Sequence, residues 1–230
     1  MSQALPEMLI KICGLSTPET LAAALDAGAD LVGFVHFPKS PRHVTLDAGR
    51  ALSVQARGRA IRTALLVNPD DALLAAAVES LDPDLIQLHG SEAPERVAAI
   101  RARFGRPVMK AVGIAEPADL AAVAAYAPVS DRLLLDAKPP KTADALPGGN
   151  GLAFDWRLLA GLDPATPFML SGGLNPENVA EAVGLTGARA VDVSSGVETR
   201  PGEKDPARIE AFVKAARAAW TDAQAKVGPA

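Results

Sequence analysis

The sequence predicts an α/β protein folded as a single (β/α)8 TIM barrel over residues 1–230. Short apolar runs alternate with amphipathic stretches rich in Ala and Leu along the whole chain. Parallel strands need crossover connections, and a helix after each strand supplies them. Eight such units fit 230 residues, close to the size of a minimal barrel. No linker and no shift in composition divides the sequence, so we expect one domain.

Eight apolar runs are predicted as strands, and each is followed by a predicted helix. The strands are residues 9–13, 31–35, 63–67, 85–89, 108–112, 133–136, 168–171 and 190–194. The helices are residues 18–27, 46–56, 70–80, 94–104, 117–126, 154–159, 176–183 and 206–225.

Capping residues mark several of the predicted helix ends. Thr17, Asn175 and Asp205 each precede a proline, which is typical of an N-cap followed by the first helical residue. Glycines stand where three helices are expected to end, at Gly28, Gly105 and Gly187.

An open, doubly wound sheet is the alternative architecture. If such a sheet bound a dinucleotide, the motif G-x-G-x-x-G would normally follow its first strand. Here the first strand ends in Cys13-Gly14-Leu15-Ser16, so that motif is absent. The sequence favours the closed barrel.

Composition limits the partners and cofactors that we expect. The chain has 23 Lys and Arg against 27 Asp and Glu, a net charge of −4, which argues against a nucleic-acid partner. One cysteine cannot form an internal disulfide, which favours a reducing compartment such as the cytoplasm. We see no signal peptide and no membrane span. The three His and one Cys have no metal-ligand spacing, so we expect no metal and no cofactor.

Two Gly- and Ser-rich turns follow the last two predicted strands. Such turns let the backbone approach a ligand closely and direct N–H groups at an anion, as phosphate-binding barrels do. Asp192 is expected to orient the second turn or bind a lysine. These turns indicate an enzyme that acts on a small phosphorylated molecule. The predicted phosphate-binding residues are Gly172, Gly173, Asp192, Ser194, Ser195 and Gly196.

The first strand contributes Lys11 and Cys13, two residues apart and therefore on one face. In a barrel the carboxyl ends of all strands meet at one mouth. The Lys11 ammonium would favour the thiolate form of Cys13 and make it a usable base. The alternative, that Cys13 is a small buried apolar residue, stays open.

Asp136 ends the sixth predicted strand after three leucines, where a carboxylate is costly unless it is paired or functional. The alternatives are a helix cap or an ion pair with Lys138 or Lys141. The loop over residues 137–151 is long and rich in Gly and Pro, so it could close over a substrate or be slack surface loop.

Besides Lys11, three further polar residues are predicted to contact substrate. Arg42 lies in a loop stiffened by two prolines and could pair with a carboxylate through two nitrogens, or be solvated. Gln87 and His89 share a face at the end of the fourth strand. His89 could equally be a core histidine with satisfied hydrogen bonds.

Taken together, the motifs resemble one known family, that of phosphoribosylanthranilate isomerase in tryptophan biosynthesis. The resemblance extends from about Leu9 to the final helix. The motifs are Lys-Ile-Cys-Gly at 11–14, Ser-Pro-Arg at 40–42, Gln-Leu-His-Gly at 87–90, Leu-Asp at 135–136, and the two turns with their flanks at 170–179 and 192–198.

The resemblance implies an Amadori rearrangement that needs one acid, one base and no cofactor. By position, Cys13 matches the family's general base, Asp136 its general acid, and Arg42 the arginine that engages the anthranilate carboxylate. The two turns match the family's phosphate site. We hypothesise that Asp136 is partly protonated and Cys13 partly ionised at working pH. The chain resembles the stand-alone enzyme, as a monomer or homodimer.

Other phosphate-binding barrels are the alternatives. The aminoaldose isomerase of histidine biosynthesis resembles a design with two carboxylates, which Cys13 argues against. Indole-glycerol-phosphate synthase and pentulose-phosphate epimerases share the phosphate turns, but an epimerase would need metal-binding His and Asp residues. A barrel that only binds a ligand would have lost the acid or the base, and both candidates are present.

Overall fold

The computed structural model describes residues 8–139, 146–162 and 166–227. Eight parallel strands form a closed barrel in which each strand pairs with its neighbours in chain order. The strands are β1 Leu9–Cys13, β2 Leu31–Val35, β3 Ile61–Leu66, β4 Leu85–Leu88, β5 Val108–Ile114, β6 Arg132–Ala137, β7 Phe168–Leu170 and β8 Ala190–Val193. The predicted (β/α)8 TIM barrel is confirmed.

The barrel closes where β1 pairs with β8, in a register that places Lys11 beside Asp192. On its other edge β1 pairs with β2, where Cys13 lies beside Gly33. All eight predicted strands are present, with bounds that differ by at most two residues. Side chains two apart on a strand share a face, so the register fixes which residues point into the barrel.

Seven α-helices and several 3₁₀ helices connect or follow the strands in the described ranges. The α-helices are α1 Pro18–Asp26, α2 Leu46–Ala56, α3 Asp71–Leu81, α4 Pro94–Phe104, α5 Leu120–Tyr126, α6 Val179–Thr186 and α7 Pro206–Val227. A short 3₁₀ helix, Pro117–Asp119, leads into α5. None of the helices described is long and apolar enough to cross a membrane.

Two predicted helices differ from the structure. The helix expected at 154–159 is a 3₁₀ helix, Trp156–Gly161. The helix expected at 176–183 begins only at Val179, because the Asn175 side chain first closes a turn by accepting hydrogen bonds from the N–H groups of Glu177 and Asn178. Asn175 is therefore not the N-cap of α6.

A two-stranded hairpin after β8 was not predicted. It consists of β9 Glu198–Arg200 and β10 Glu203–Lys204, which pair antiparallel. The strands are too short to carry a periodic apolar pattern. This hairpin lies next to the second Gly- and Ser-rich turn and contributes two charged side chains to the site.

The barrel interior changes character from one end to the other. A buried apolar cluster includes Leu31, Leu85, Met109, Leu134 and Met169. Further toward the carboxyl ends of the strands the interior becomes polar, and these polar side chains are almost completely buried: Lys11, Thr63, Gln87 and Asp192. Charged groups taken out of water need partners, and Lys11 and Asp192 pair with each other here.

Between the barrel and the helices lies a larger apolar core. In α7, Ile209 and Phe212 are fully buried, and in β1 Ile10 and Ile12 point outward into the same core. Full burial of such a side chain stabilises the fold by about 1.5–3 kcal/mol. The outward half of β1 therefore anchors the strand, which leaves the inward residues free to serve the site.

A buried ion pair lies outside the barrel, beneath the turn that follows β4. Lys110 Nζ lies 3.0 Å from Glu92 Oε2 and donates to the Gly90 carbonyl at 2.7 Å. Glu92 Oε1 accepts from the N–H groups of Asn68 at 2.8 Å and Gly90 at 3.1 Å. Burial lowers the pKa of Lys110, although Glu92 opposes that shift. The pair therefore holds the turn at Gly90, the residue that directly follows His89.

We expect Lys110→Met to lower the free energy of unfolding by about 3–5 kcal/mol, because it leaves Glu92 buried without its partner. Urea denaturation measures the change. Lys138→Met is the control, since the Lys138 side chain is 45% exposed and its loss should change stability by at most about 1 kcal/mol. Equal losses in the two variants would contradict a structural role for the Lys110–Glu92 pair.

Candidate active site

A cavity that is open to solvent lies at the carboxyl ends of the barrel strands. It collects most of the predicted site residues, although they come from strands far apart in the sequence. Three predicted residues do not line it: Lys11, Gln87 and Gly196. Its polar wall is formed by Cys13, Arg42, His89, Asp136, residues 146–151, residues 171–173 and residues 192–195.

Cys13 and Lys11 share the space beside Gly33 on the neighbouring strand. A methyl group at Gly33 would lie 2.9 Å from Cys13 Sγ and 3.2 Å from Lys11 Nζ, so glycine is what allows both groups to fit. Lys11 Nζ in turn donates to Asp192 Oδ1 at 2.8 Å. Asp192 Oδ2 accepts from Ser171 Oγ at 3.1 Å, so both of its oxygens are engaged.

Burial and neighbouring charges shift the pKa values of Cys13 and Lys11. Burial raises the pKa of the Cys13 thiol above the ordinary 9.0, and the Lys11 charge opposes this without reversing it. For Lys11, burial disfavours the ammonium, but the charges of Asp192 and Cys13 outweigh it and the pKa is raised. Burial therefore acts against the expected partial ionisation of Cys13, and the sequence could not show how completely the thiol is buried.

Asp136 projects into the cavity from the end of β6. Its Oδ1 accepts from the N–H group of Ala137 at 2.8 Å, and its Oδ2 lies 3.2 Å from His89 Nε2. The alternative ion pair with Lys138 is wrong, since Lys138 pairs with Asp119 at 2.6 Å. The other alternative partner, Lys141, lies outside the described residues.

His89 lies between Asp136 and Gln87. Its Nδ1 is 3.0 Å from the amide nitrogen of Gln87, whose side chain is completely buried behind it. Of the two predicted substrate contacts on β4 and its end, only His89 reaches the cavity wall. Gln87 contacts His89 instead.

Arg42 is buried at the cavity wall, so the alternative of a solvated arginine is wrong. Its Nε and Nη2 donate to the two carboxylate oxygens of Glu198 at 2.7 and 2.8 Å. Nη2 also donates to the Gly149 carbonyl at 3.1 Å. The paired donors that the sequence suggested for a substrate carboxylate are thus held by Glu198, and Nη1 is the nitrogen without such a partner among the described residues.

Glu198 and Lys204, on the hairpin after β8, were not predicted as site residues. Lys204 Nζ donates to Glu198 Oε1 at 2.6 Å and to the Ser194 carbonyl at 2.9 Å. Burial opposes ionisation of Glu198, but Arg42 and Lys204 outweigh it and lower its pKa. Burial also lowers the pKa of Lys204. Glu198 stood two residues after the second glycine turn, the one sequence signal that could have marked it.

The two predicted phosphate turns meet at the cavity. Gly172 and Gly173 have φ of 83° and 68°, a conformation that favours glycine. Within the described ranges, no protein acceptor receives a hydrogen bond from their N–H groups, which are therefore available to an anion. Ser194 Oγ donates to the Cys13 carbonyl at 3.1 Å, so its hydroxyl ties the turn to β1.

Gly196 serves the packing of one turn against the other. A methyl group at this position would overlap the carbonyl oxygen of Leu174, which follows the first turn. The first turn is held further by Asn178, whose side-chain amide donates to the Gly173 carbonyl at 2.9 Å. Glycine at 196 therefore sets how closely the two turns approach.

Part of the loop after β6 covers the cavity. Residues 140–145 of the predicted 137–151 loop lie outside the described residues, whereas residues 146–151 line the cavity. A methyl group at Gly148 would overlap His89 Nε2 and lie 2.9 Å from Asp136 Oδ2. The loop therefore passes directly over the two side chains.

Comparison with known proteins gives one consistent result. The family described as N-(5'-phosphoribosyl)anthranilate (PRA) isomerase matches residues 10–215 of this chain. The chain belongs to the PRA isomerase family. An N-(5'-phosphoribosyl)anthranilate isomerase of Azorhizobium caulinodans is 67% identical over 210 residues, 91% of this chain and 92% of that protein.

Two solved structures of PRA isomerases are also similar to this chain. One, bound to reduced 1-(o-carboxyphenylamino)-1-deoxyribulose 5-phosphate, has a TM-score of 0.80 and 34% identity over 92% of this chain and 99% of that one. The other is a set of monomers generated from the dimeric Thermotoga maritima enzyme, with the same TM-score, identity and coverage. The resemblance read from the motifs is confirmed.

PRA isomerases are aldose–ketose isomerases of tryptophan biosynthesis, and the cavity has the parts that such a reaction needs. A thiol, a carboxyl group, a guanidinium and the two Gly- and Ser-rich turns line the same cavity. Among the described residues, no group of three His, Cys, Asp or Glu side chains could hold a metal ion.

We expect Gly196→Ala to weaken binding of inorganic phosphate about tenfold or more, because the added methyl group pushes the two turns apart. The loss of a single hydrogen bond to a charged group is enough to cause a tenfold change in affinity. Isothermal titration measures the affinity. Gly184→Ala is the control, since a methyl group there has open space and lies in α6. Unchanged phosphate affinity in Gly196→Ala would contradict this role.

We expect wild type to have a larger free energy of unfolding than Glu198→Gln at neutral pH, and we expect this difference to disappear in acid. The folded-state pKa of Glu198 is below its ordinary 4.5, so its stabilising contribution is present above that pH and is lost as the pH falls through the folded pKa. Urea denaturation between pH 7 and about pH 3 should show the two stabilities converging. Glu203→Gln, on the exposed face of the same hairpin, should track wild type throughout.

Proposed function

We propose that this chain converts N-(5'-phosphoribosyl)anthranilate into 1-(2-carboxyphenylamino)-1-deoxyribulose 5-phosphate by an Amadori rearrangement. The observation that carries the proposal is that Cys13, Asp136, Arg42 and the two Gly- and Ser-rich turns line one cavity. A substrate that carries both a carboxylate and a phosphate matches that set of groups.

Binding of the two ends places the sugar over the acid and the base. The phosphate is held by the turns at Gly172–Gly173 and Ser194–Ser195, and the carboxylate by Nη1 of Arg42. An apolar part of the wall, which suits an aromatic ring, is formed by Val35, Phe37, Leu65 and Val67. Fixing both ends converts the proton transfers into steps within one complex.

Asp136 acts as the general acid in the first step. It gives its proton to the furanose ring oxygen as the bond from that oxygen to C1′ breaks, and the nitrogen lone pair forms the C1′ imine. Cys13 then removes the C2′ proton, and the electron pair forms the enolamine. The enolamine tautomerises to the ketone by losing the proton on its 2′ oxygen and gaining one at C1′. No oxidant or reductant is needed.

The raised pKa of the Cys13 thiol sets a requirement on this mechanism. Only the thiolate can accept the C2′ proton, so kcat/KM is expected to rise with pH from neutral into the alkaline range, without levelling off below the ordinary thiol pKa of 9.0. Lys11 and Lys204 both oppose the effect of burial on the thiol and so favour the thiolate. We assign these buried lysines to support of the base rather than to substrate binding.

We further propose that the chain is a single catalytic domain over residues 1–230 that acts in the cytoplasm without a cofactor or a nucleic-acid partner. It works as a monomer or a homodimer, and the Thermotoga maritima relative is a dimer. A lone cysteine needed as a thiolate supports a reducing compartment.

We expect Cys13→Ser and Asp136→Asn each to lower kcat by at least about 100-fold, which is the usual contribution of one general acid or base. Loss of phosphoribosylanthranilate fluorescence measures the reaction. Arg42→Ala is the contrast, because removing a binding group should mainly raise KM. Full activity of Cys13→Ser would exclude Cys13 as the base, and an inactive wild-type protein would contradict the proposed function.

A further inference from the structure

His89 and Asp136 form a pair at the cavity wall whose other contacts are fixed. His89 Nε2 is 3.2 Å from Asp136 Oδ2, and the side chains are only 11% and 10% exposed. On its far side, His89 Nδ1 is 3.0 Å from the amide nitrogen of Gln87. Gln87 does not reach the cavity, so its side chain can act on the reaction only through His89.

The chemistry of these neighbours determines where the imidazole proton lies. The amide nitrogen of Gln87 only donates hydrogen bonds, so it requires His89 Nδ1 to be the acceptor. A neutral imidazole with an unprotonated Nδ1 carries its proton on Nε2. That nitrogen lies 3.2 Å from Asp136 Oδ2. Gln87 therefore selects the tautomer that can donate to Asp136.

We propose that His89 is a positioning residue for Asp136 and does not serve mainly as a substrate ligand. This inference rests on the proposed function, in which Asp136 is the general acid. The Ala137 N–H donates to Oδ1, and His89 Nε2 lies 3.2 Å from Oδ2, so the carboxyl group is contacted at both oxygens. These contacts hold it at the cavity wall.

A neutral partner suits an acid better than a charged one. An imidazolium beside Asp136 would favour the ionised carboxylate, which has no proton to give. Gln87 places a donor, not an acceptor, against Nδ1 of His89. The loop over the site adds a steric limit, because Gly148 lies so close that even a methyl group there would overlap His89 Nε2.

The first test compares His89→Leu with His89→Gln. The amide nitrogen of glutamine reaches the place of Nε2 and can donate to Asp136, whereas leucine fills the space without a donor. We expect His89→Leu to lower the single-turnover rate by about 10–100-fold, as loss of a supporting hydrogen bond does, with KM within about twofold of wild type. His89→Gln should restore most of the rate.

Two outcomes of this comparison would overturn the proposal. A raised KM with an unchanged single-turnover rate in His89→Leu would make His89 a substrate ligand. Equal losses in His89→Leu and His89→Gln would make its role purely structural. Thermal unfolding of both variants checks that they fold. If His89→Leu does not fold, Gln87→Met, which touches nothing in the cavity, replaces it.

The second test needs no enzyme activity. The chain has three histidines, so the imidazole nitrogens of the ¹⁵N-labelled protein can be assigned individually by NMR. We expect the proton of His89 on Nε2 in wild type, and a loss of that preference in Gln87→Met. A proton on Nδ1 in wild type, or an unchanged tautomer in Gln87→Met, would contradict the inference even if the isomerase activity is present. Absence of that activity would instead count against the proposed function.

Discussion

The buried ion pair between Lys11 and Asp192 joins the first and last strands at the centre of the barrel. The two side chains are 0% and 5% exposed, and they lie side by side where β1 pairs with β8. A charge buried alone would destabilise the fold severely, so each residue requires the other. The pair therefore both fixes the register that closes the barrel and places a positive charge beside the thiol of Cys13.

The two ends of the barrel interior have different roles. The apolar amino end contributes to stability, and the polar carboxyl end contains the groups of the candidate active site. At the amino end the interior is filled by side chains such as Leu31, Met109 and Leu134, which need no partner. At the carboxyl end Lys11 is paired with Asp192, and Arg42 and Lys204 are both paired with Glu198. These pairs are buried, so they hold positions closely and they also shift the pKa values of the groups they contain.

Close approach of the backbone is the second constraint on the site. Gly33 allows Lys11 and Cys13 to share a face, Gly196 lets the two phosphate turns touch, and Gly148 lets the covering loop reach Asp136. At each position a single methyl group would meet another atom at or inside normal contact distance. These glycines therefore shape the site as much as the polar side chains that face the cavity do.

The order of strands and helices, and the residues at the strand ends, could be read from the sequence because both follow from local periodicity. A two-residue repeat decides that Lys11 and Cys13 face the same side, and the parallel arrangement decides that Asp136 and the glycine turns meet them at one mouth. The partner of Arg42 could not be read in this way, because Glu198 is 156 residues away in the chain. The same holds for the pairing of Gln87 through His89 to Asp136, and for the raised pKa of Cys13. Contacts between distant residues and the depth of burial exist only once the barrel has closed, so they are properties of the tertiary structure alone.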